Sequence, residues 1–480
     1  MLLYVLASAL TMVEPAEGSA ARLDATPTIE RGVSIHAAEL NAHRGTPPNP
    51  ALIDGPVSVG QAAADNRPCR TVFGFLPYWV SPSSVRWDQM THVAAFNVEV
   101  NGTGVAIATN GWPWTSTINA ARANGVKILI TMTNFSDSQL AQLVGSSINR
   151  QNFYTTVVNQ VRNDRADGVV LDFEGTNSTG WAASMPTVVS ELRTRLNALS
   201  PPRDYQIFVA TPAVNWTSGW NFAAVAAQAD GLFIMGYDFY GSFSSTSGPS
   251  APLAGGSFNI NNTVLTQYAA ARSQDPRKLI LGVPYYGNQW RTTGSAAYSS
   301  ASSWVGSVTF SGAASQVQTF GRQFDSASQT PWYRWQNAGQ WNQTWFDDAA
   351  SLGAKFDLAA AQGFAGVGMW ALTYDGSRNE LWDLLRQRFI TGCPCPLDFN
   401  ADGFLNQEDL SGFLTAFLAE PAPAGPSGFG QRCGTVAAPY VNGYQADYNR
   451  DCGLDQEDLG GFITEYLLQS ETPGSRCKPG

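Results

Sequence analysis

The chain has 480 residues, enough for a barrel-sized domain of about 250 residues plus accessory parts. Charged residues make up only 14%, the formal net charge is −10 and there are three histidines. The surface therefore lacks the basic footprint that nucleic-acid binding requires, and polyanionic ligands are disfavoured too. Aromatic residues reach 12%, with 15 Trp. Some must fill a core, and the others offer flat apolar faces suited to an uncharged, ring-bearing partner.

Residues 1–20 hold a short apolar run, Leu2 to Val13, followed by Gly18, Ser19 and Ala20. This resembles the apolar core and cleavage zone of a signal peptide, although no Lys or Arg precedes it. No other segment approaches the roughly 20 apolar residues of a membrane span. Five of the six Cys lie between Cys393 and Cys477, which suits disulfides in an oxidising compartment. The expected location is extracellular, free or held at the cell surface.

Between Val5 and Val72 there is no Phe, Tyr or Trp, while Ala, Pro and Gly are frequent. Such a stretch cannot bury enough apolar surface to order itself, and residues 21–68 are expected to be a disordered linker. From residue 69 strand-like and helix-like segments alternate, which implies a parallel sheet. The expected strands are 72–79, 91–100, 126–135, 168–174, 205–212, 231–238, 278–285 and 364–371. Eight is the number that closes a (β/α)8 TIM barrel, and residues 69–391 are assigned to it. A typical outer helix is expected over 185–199, where Val188, Leu192, Leu196 and Leu199 share one face against Glu191, Arg193 and Arg195. About 80 residues separate the seventh and eighth strands, too many for one helix. The surplus, about 287–345, carries six Trp and reads as a small α+β insertion.

The fourth strand holds the most informative stretch, Asp167-Gly168-Val169-Val170-Leu171-Asp172-Phe173-Glu174. Alternate strand residues share a face, so Val170, Asp172 and Glu174 point one way and the apolar Val169, Leu171 and Phe173 the other. Carboxylates on the inner face at a strand's C-terminal end stand where TIM barrels keep their catalytic groups. A strand can also end in acid merely on reaching solvent, but Asp172 lies inside the apolar run.

This stretch resembles the Asp-Gly-x-Asp-x-Asp-x-Glu signature of glycoside hydrolase family 18, with Val170 departing from the family Asp. Further strand-end motifs occur in the family's order: Phe73 to Trp79, Met235-Gly236-Tyr237-Asp238, Leu281 to Gly287, and Gly363 to Trp370. The resemblance implies a secreted glycosidase cleaving β-1,4 bonds beside N-acetylglucosamine in chitin or its oligosaccharides. It also implies roles. Glu174 would be the general acid, Asp172 would hold the substrate acetamide N–H, and Tyr237 would donate to the acetamide oxygen. Trp370 would floor the sugar site, and Asp238, Met235 and Tyr286 would bind substrate. Asp167 reads as structural. The third strand ends Thr133-Asn134-Phe135 in place of the family's usual Ser-x-Gly-Gly. That ending resembles the branch acting on spore-cortex peptidoglycan. A non-catalytic chitin-binding lectin is a third reading, although such members typically lose the Glu of the signature.

Residues 392–480 contain a duplication. Asp398, Asn400, Asp402, Phe404, Asn406 and Asp409 recur 49 residues on as Asp447, Asn449, Asp451, Gly453, Asp455 and Asp458. Oxygen side chains at loop positions 1, 3, 5, 9 and 12, with a backbone carbonyl from Phe404 or Gly453 at position 7, make the spacing of an EF-hand calcium loop. An apolar helical stretch follows each loop, 410–418 and 459–468. The pattern resembles a dockerin module, which implies structural Ca2+ and a cohesin-like scaffold partner. A calcium- and disulfide-stabilised tail without a cohesin is the alternative. No cofactor for catalysis is expected.

Overall fold

The structure is a computed structural model, and it describes residues 34–55, 68–163, 165–200, 202–391, 407–419 and 456–469. Eight parallel strands close into a barrel: Thr71–Pro77, His92–Val100, Lys127–Asn134, Gly168–Phe173, Gln206–Pro212, Gly231–Met235, Leu279–Pro284 and Gly366–Trp370. The first strand pairs with both the second (Phe73 with His92) and the eighth (Thr71 with Gly366), which closes the ring. Each strand lies within three residues of its expected bounds, because runs such as Gly231–Met235 are buried throughout, as a strand under helices requires.

The fourth strand enters through Asp167. Its carboxylate accepts from the Ile128 N–H at 2.9 Å, and its backbone pairs with Ile128 and Gln206 on the flanking strands. The following glycine is required by the close approach of the neighbouring strand: a Cβ at Gly168 would lie 2.1 Å from the Gln206 carbonyl oxygen. On the outside, helix Met185–Asn197 buries Val188, Val189, Leu192 and Leu196, each worth roughly 1.5–3 kcal/mol of transfer free energy.

Between the seventh and eighth strands the chain builds a five-stranded antiparallel sheet, in the order 301–309, 286–292, 340–345, 330–337, 323–325, with helix Phe310–Phe320. Trp290, Trp332 and Trp345 pack with Tyr298 into a core of its own. Half of the insertion's tryptophans are therefore structural. Near the C-terminus, helices Gln407–Ala419 and Gln456–Gln469 stack Phe413 on Phe462, with ring centroids 3.8 Å apart. Both cover the stretches expected to be helical. Of the twelve expected calcium ligands, only Asp409 and Asp458 fall within these helices; the other ten lie outside the described residues. Among the described residues no helix is long and apolar enough to cross a membrane.

The linker expectation needs correction for residues 34–55. They form helices Ile35–His43 and Pro50–Asp54. Composition misled here because the segment does not use a core of its own: Leu40 and Leu52 are buried in the barrel's hydrophobic cluster. Ser34 caps the first helix, its Oγ accepting from the Ala37 N–H, and Asn49 caps the second through Ala51.

Candidate active site

The site lies at the C-terminal end of the barrel. Asp172 is fully buried near the end of the fourth strand, and Glu174 follows directly, its N–H donating to the Asn134 carbonyl. Met235 ends the sixth strand, and Tyr237 and Asp238 follow it. Tyr286 opens the strand after the seventh, and Trp370 ends the eighth.

Tyr286 Oη donates to Asp238 Oδ1 at 2.5 Å, and Ser250 Oγ donates to Tyr286 Oη at 3.1 Å. The rings of Tyr237 and Tyr286 meet edge to face at 6.1 Å. All seven residues expected at the site therefore stand around one end of the barrel. They come from four strand ends that sequence separates by up to about 200 residues.

Sequence reasoning missed what fills the centre. The imidazole of His36 places Nδ1 2.9 Å from Asp172 Oδ2 and 3.2 Å from Glu174 Oε1. Its Nε2 is 2.8 Å from Tyr237 Oη, and its ring lies over Trp370 with centroids 3.9 Å apart. Phe75 and Phe96 pack around the same ring. One turn on, Glu39 accepts from Trp370 Nε1 at 3.0 Å and Tyr374 Oη at 2.5 Å. The backbone N–H of Ile35 donates to Asp238 Oδ2. A signal was present in the sequence: His36, Glu39, Leu40 and His43 are spaced i, i+3, i+4, i+7 behind a Ser N-cap.

Burial alone would lower the His36 pKa, but the carboxylates of Asp172 and Glu174 outweigh it and raise it to about 10. His36 is therefore an imidazolium, with both ring N–H groups donating. Burial pushes Glu174 above its ordinary value and Asp172 adds to the rise, while His36 and Ser34 oppose it. Burial also raises Glu39, to about 7, against hydrogen bonds from Tyr374 and Trp370. Oxygen and nitrogen atoms of His36, Asp172 and Glu174 lie within 4.8 Å of one another, a set that could hold a cation. A metal would need the neutral imidazole, whereas these carboxylates favour the protonated one.

A buried carboxyl with a raised pKa beside a second carboxylate and a buried tyrosine, over a tryptophan floor, is a site for acid–base chemistry on a ring-shaped substrate. On a closed eightfold barrel, this defines a glycosidase-type centre. The chain belongs to Glycosyl hydrolases family 18, whose sequence profile matches residues 71–375. It is 26% identical over 283 residues to YdhD of Bacillus subtilis (strain 168), named as a sporulation-specific glycosylase, covering 54% of this chain and 60% of that one. To chitinase A1 of Niallia circulans it is 25% identical over 354 residues, covering 66% and 46%. The matches thus span less than two-thirds of either relative. Among solved structures, a family 18 chitinase from Cycas revoluta in complex with (GlcNAc)3 superposes with a TM-score of 0.59 at 22% identity, covering 66% of this chain and 99% of that one. A chitinase-like agglutinin from Robinia pseudoacacia gives 0.58 at 19%, covering 66% and 98%. At these identities the superpositions establish the fold.

Proposed function

We propose that the protein is a secreted enzyme that hydrolyses β-1,4 bonds of N-acetylglucosamine-containing glycans, chitin or its oligosaccharides, with retention of configuration. The observation that carries this reading is the convergence of Glu174, Asp172, Tyr237 and Trp370 on one ring-sized space. Two carboxylates from the same strand end cannot easily flank a glycosidic bond from opposite sides, which disfavours a protein nucleophile. The substrate's 2-acetamido oxygen then attacks the anomeric carbon as the bond to the leaving oxygen breaks. Glu174 delivers its proton to that oxygen. The resulting oxazolinium is opened by water, whose proton returns to Glu174, restoring the enzyme. Asp172 accepts the acetamide N–H, and Tyr237 donates to the acetamide oxygen as charge moves through it. The residue at 170 is Val, so Asp172 lacks the acid that the family carries two residues before it. Met235, Asp238 and Tyr286 bind the sugar, and the insertion walls one side of the cleft.

Peptidoglycan is the second substrate reading, supported by the Thr133-Asn134-Phe135 strand ending and by the similarity to YdhD. Incubation with chitin oligomers and, separately, with purified peptidoglycan, followed by mass spectrometry, distinguishes the two. Chitobiose-spaced products from the first substrate alone support chitin. Muropeptide-bearing products from the second alone replace that reading.

For the C-terminal region we infer two structural Ca2+ loops. The all-oxygen donor sets suit a hard cation, and each loop runs directly into one helix of the Phe413–Phe462 pair. The ion would tie the loop ends together and leave catalysis to the barrel. A cohesin-like scaffold protein is the partner this arrangement would serve.

A further inference from the structure

We propose that the catalytic groove is also a peptide-binding site, and that its occupant is the chain's own segment 34–44, which holds the sugar position and keeps the enzyme closed until it is displaced. The inference rests on the substrate reading above.

The occupant engages each group that the chemistry needs. His36 presents a flat ring to Trp370, an N–H to the Asp172 and Glu174 carboxylates, and a second N–H to the Tyr237 hydroxyl. These are the same stacking and hydrogen-bonding functions assigned to the sugar ring and its acetamide. With His36 fully buried, no room remains for a sugar over Trp370. The neighbouring positions extend the mimicry. Glu39 takes the Trp370 and Tyr374 donors, and the Ile35 amide takes Asp238. A helix that merely packed on the barrel would need no charged residue at its centre. Here its cation faces two buried carboxylates, and its carboxylate faces two buried donors.

The seat is fixed on its C-terminal side as well. His43 stacks on Trp79 with centroids 4.4 Å apart and planes at 9°, and its carbonyl accepts from Tyr78 Oη at 2.6 Å. Arg44 pairs with Glu99 at 2.9 Å. Helix Pro50–Asp54 then anchors the segment away from the groove: Leu52 is fully buried, and Ser116 Oγ donates to the Ile53 and Gly55 carbonyls. A tether of this kind presents the segment at an effective concentration of order millimolar. Seating weakens a glycan's apparent affinity by the ratio of that concentration to the segment's own dissociation constant.

The test uses the full chain with His36→Ala and Glu39→Ala together, and separately with Leu40→Asp, which puts a charge at a buried apolar position of the same helix. Hydrogen exchange over 35–43 reads the seat, and hydrolysis of an N-acetylglucosamine tetramer reads its effect. If the seat is filled nine-tenths of the time, unseating raises kcat/KM about tenfold. The expected result is slow exchange in the wild type, fast exchange in both variants, and hydrolysis at least about tenfold faster in both. A synthetic peptide of residues 34–44 should then inhibit the double variant competitively. Equal hydrolysis by wild type and variants, or a wild-type segment that exchanges like a free peptide, overturns the proposal. If the segment is protected but no variant cuts or binds the tetramer, the substrate reading has failed and the inhibitory role falls with it.

Discussion

The rings of His36 and Trp370 overlap with centroids 3.9 Å apart and planes 30° apart, across more than 300 residues of sequence. That contact joins a segment lacking any Phe, Tyr or Trp to the aromatic floor of the barrel. Trp370 is completely buried, packed also against Phe75 and Phe96.

Replacing Glu174 with Gln removes the proton donor and keeps the side chain's shape. Turnover should fall by at least about a hundredfold, while calorimetric binding of an N-acetylglucosamine oligomer persists. Undiminished turnover would contradict the assignment of the acid.

The charge on His36 gives the seated helix a defined pH range. Its pKa rises from 6.5 to about 10, so the stabilisation is fully present below about 6.5 and is lost as pH rises through about 10. The groups in contact with it are Asp172, Glu174 and Tyr237, and the carboxyl groups of Glu39 and Asp238 also feel its charge. Burial holds Tyr237 well above its ordinary value, so its proton stays in place across that window. Carbon-detected NMR of the imidazole should show no titration near 6.5 and a transition several pH units higher.

The barrel was largely legible in the sequence because its signals are local. Apolar runs such as Leu279–Pro284 are buried on both faces, and strand-end motifs sit next to the strands that carry them. Asp172, Glu174, Tyr237 and Trp370 could each be placed in this way. The helix at 35–43 carries a short helical spacing behind Ser34, but its burial was not legible, because the partners that order it lie far along the chain. Composition over 21–68 reports only what a segment can bury by itself. The insertion was visible from its length and tryptophan count, but which tryptophans form its core depends on strand pairing, such as Trp332 with Trp345.

Chelation tests the C-terminal loops. Removing calcium should melt residues 398–468 as a separate calorimetric transition and leave barrel activity unchanged. A thermogram that does not respond to calcium would remove the metal assignment.

The barrel's two ends meet at Cys69, whose N–H donates to the Phe389 carbonyl at 2.9 Å. A disulfide from Cys69 to Cys393 or Cys395, which lie outside the described residues, would clamp that junction. Non-reducing peptide mapping should recover one of these pairs, and Cys69→Ser should destabilise the barrel by about 2–5 kcal/mol. Recovery of Cys69 linked to Cys433, Cys452 or Cys477 instead would rule the clamp out.

Substrate-assisted retention is the central chemical claim, and time-resolved proton NMR of the first product anomer tests it most directly. Both the wild-type chain and His36→Ala should be followed on an N-acetylglucosamine tetramer. The account predicts that the β-anomer appears first and mutarotates later, and that a matched glucose oligomer without the acetamide is left intact. Initial release of the α-anomer, or ready cleavage of the glucose oligomer, would contradict it.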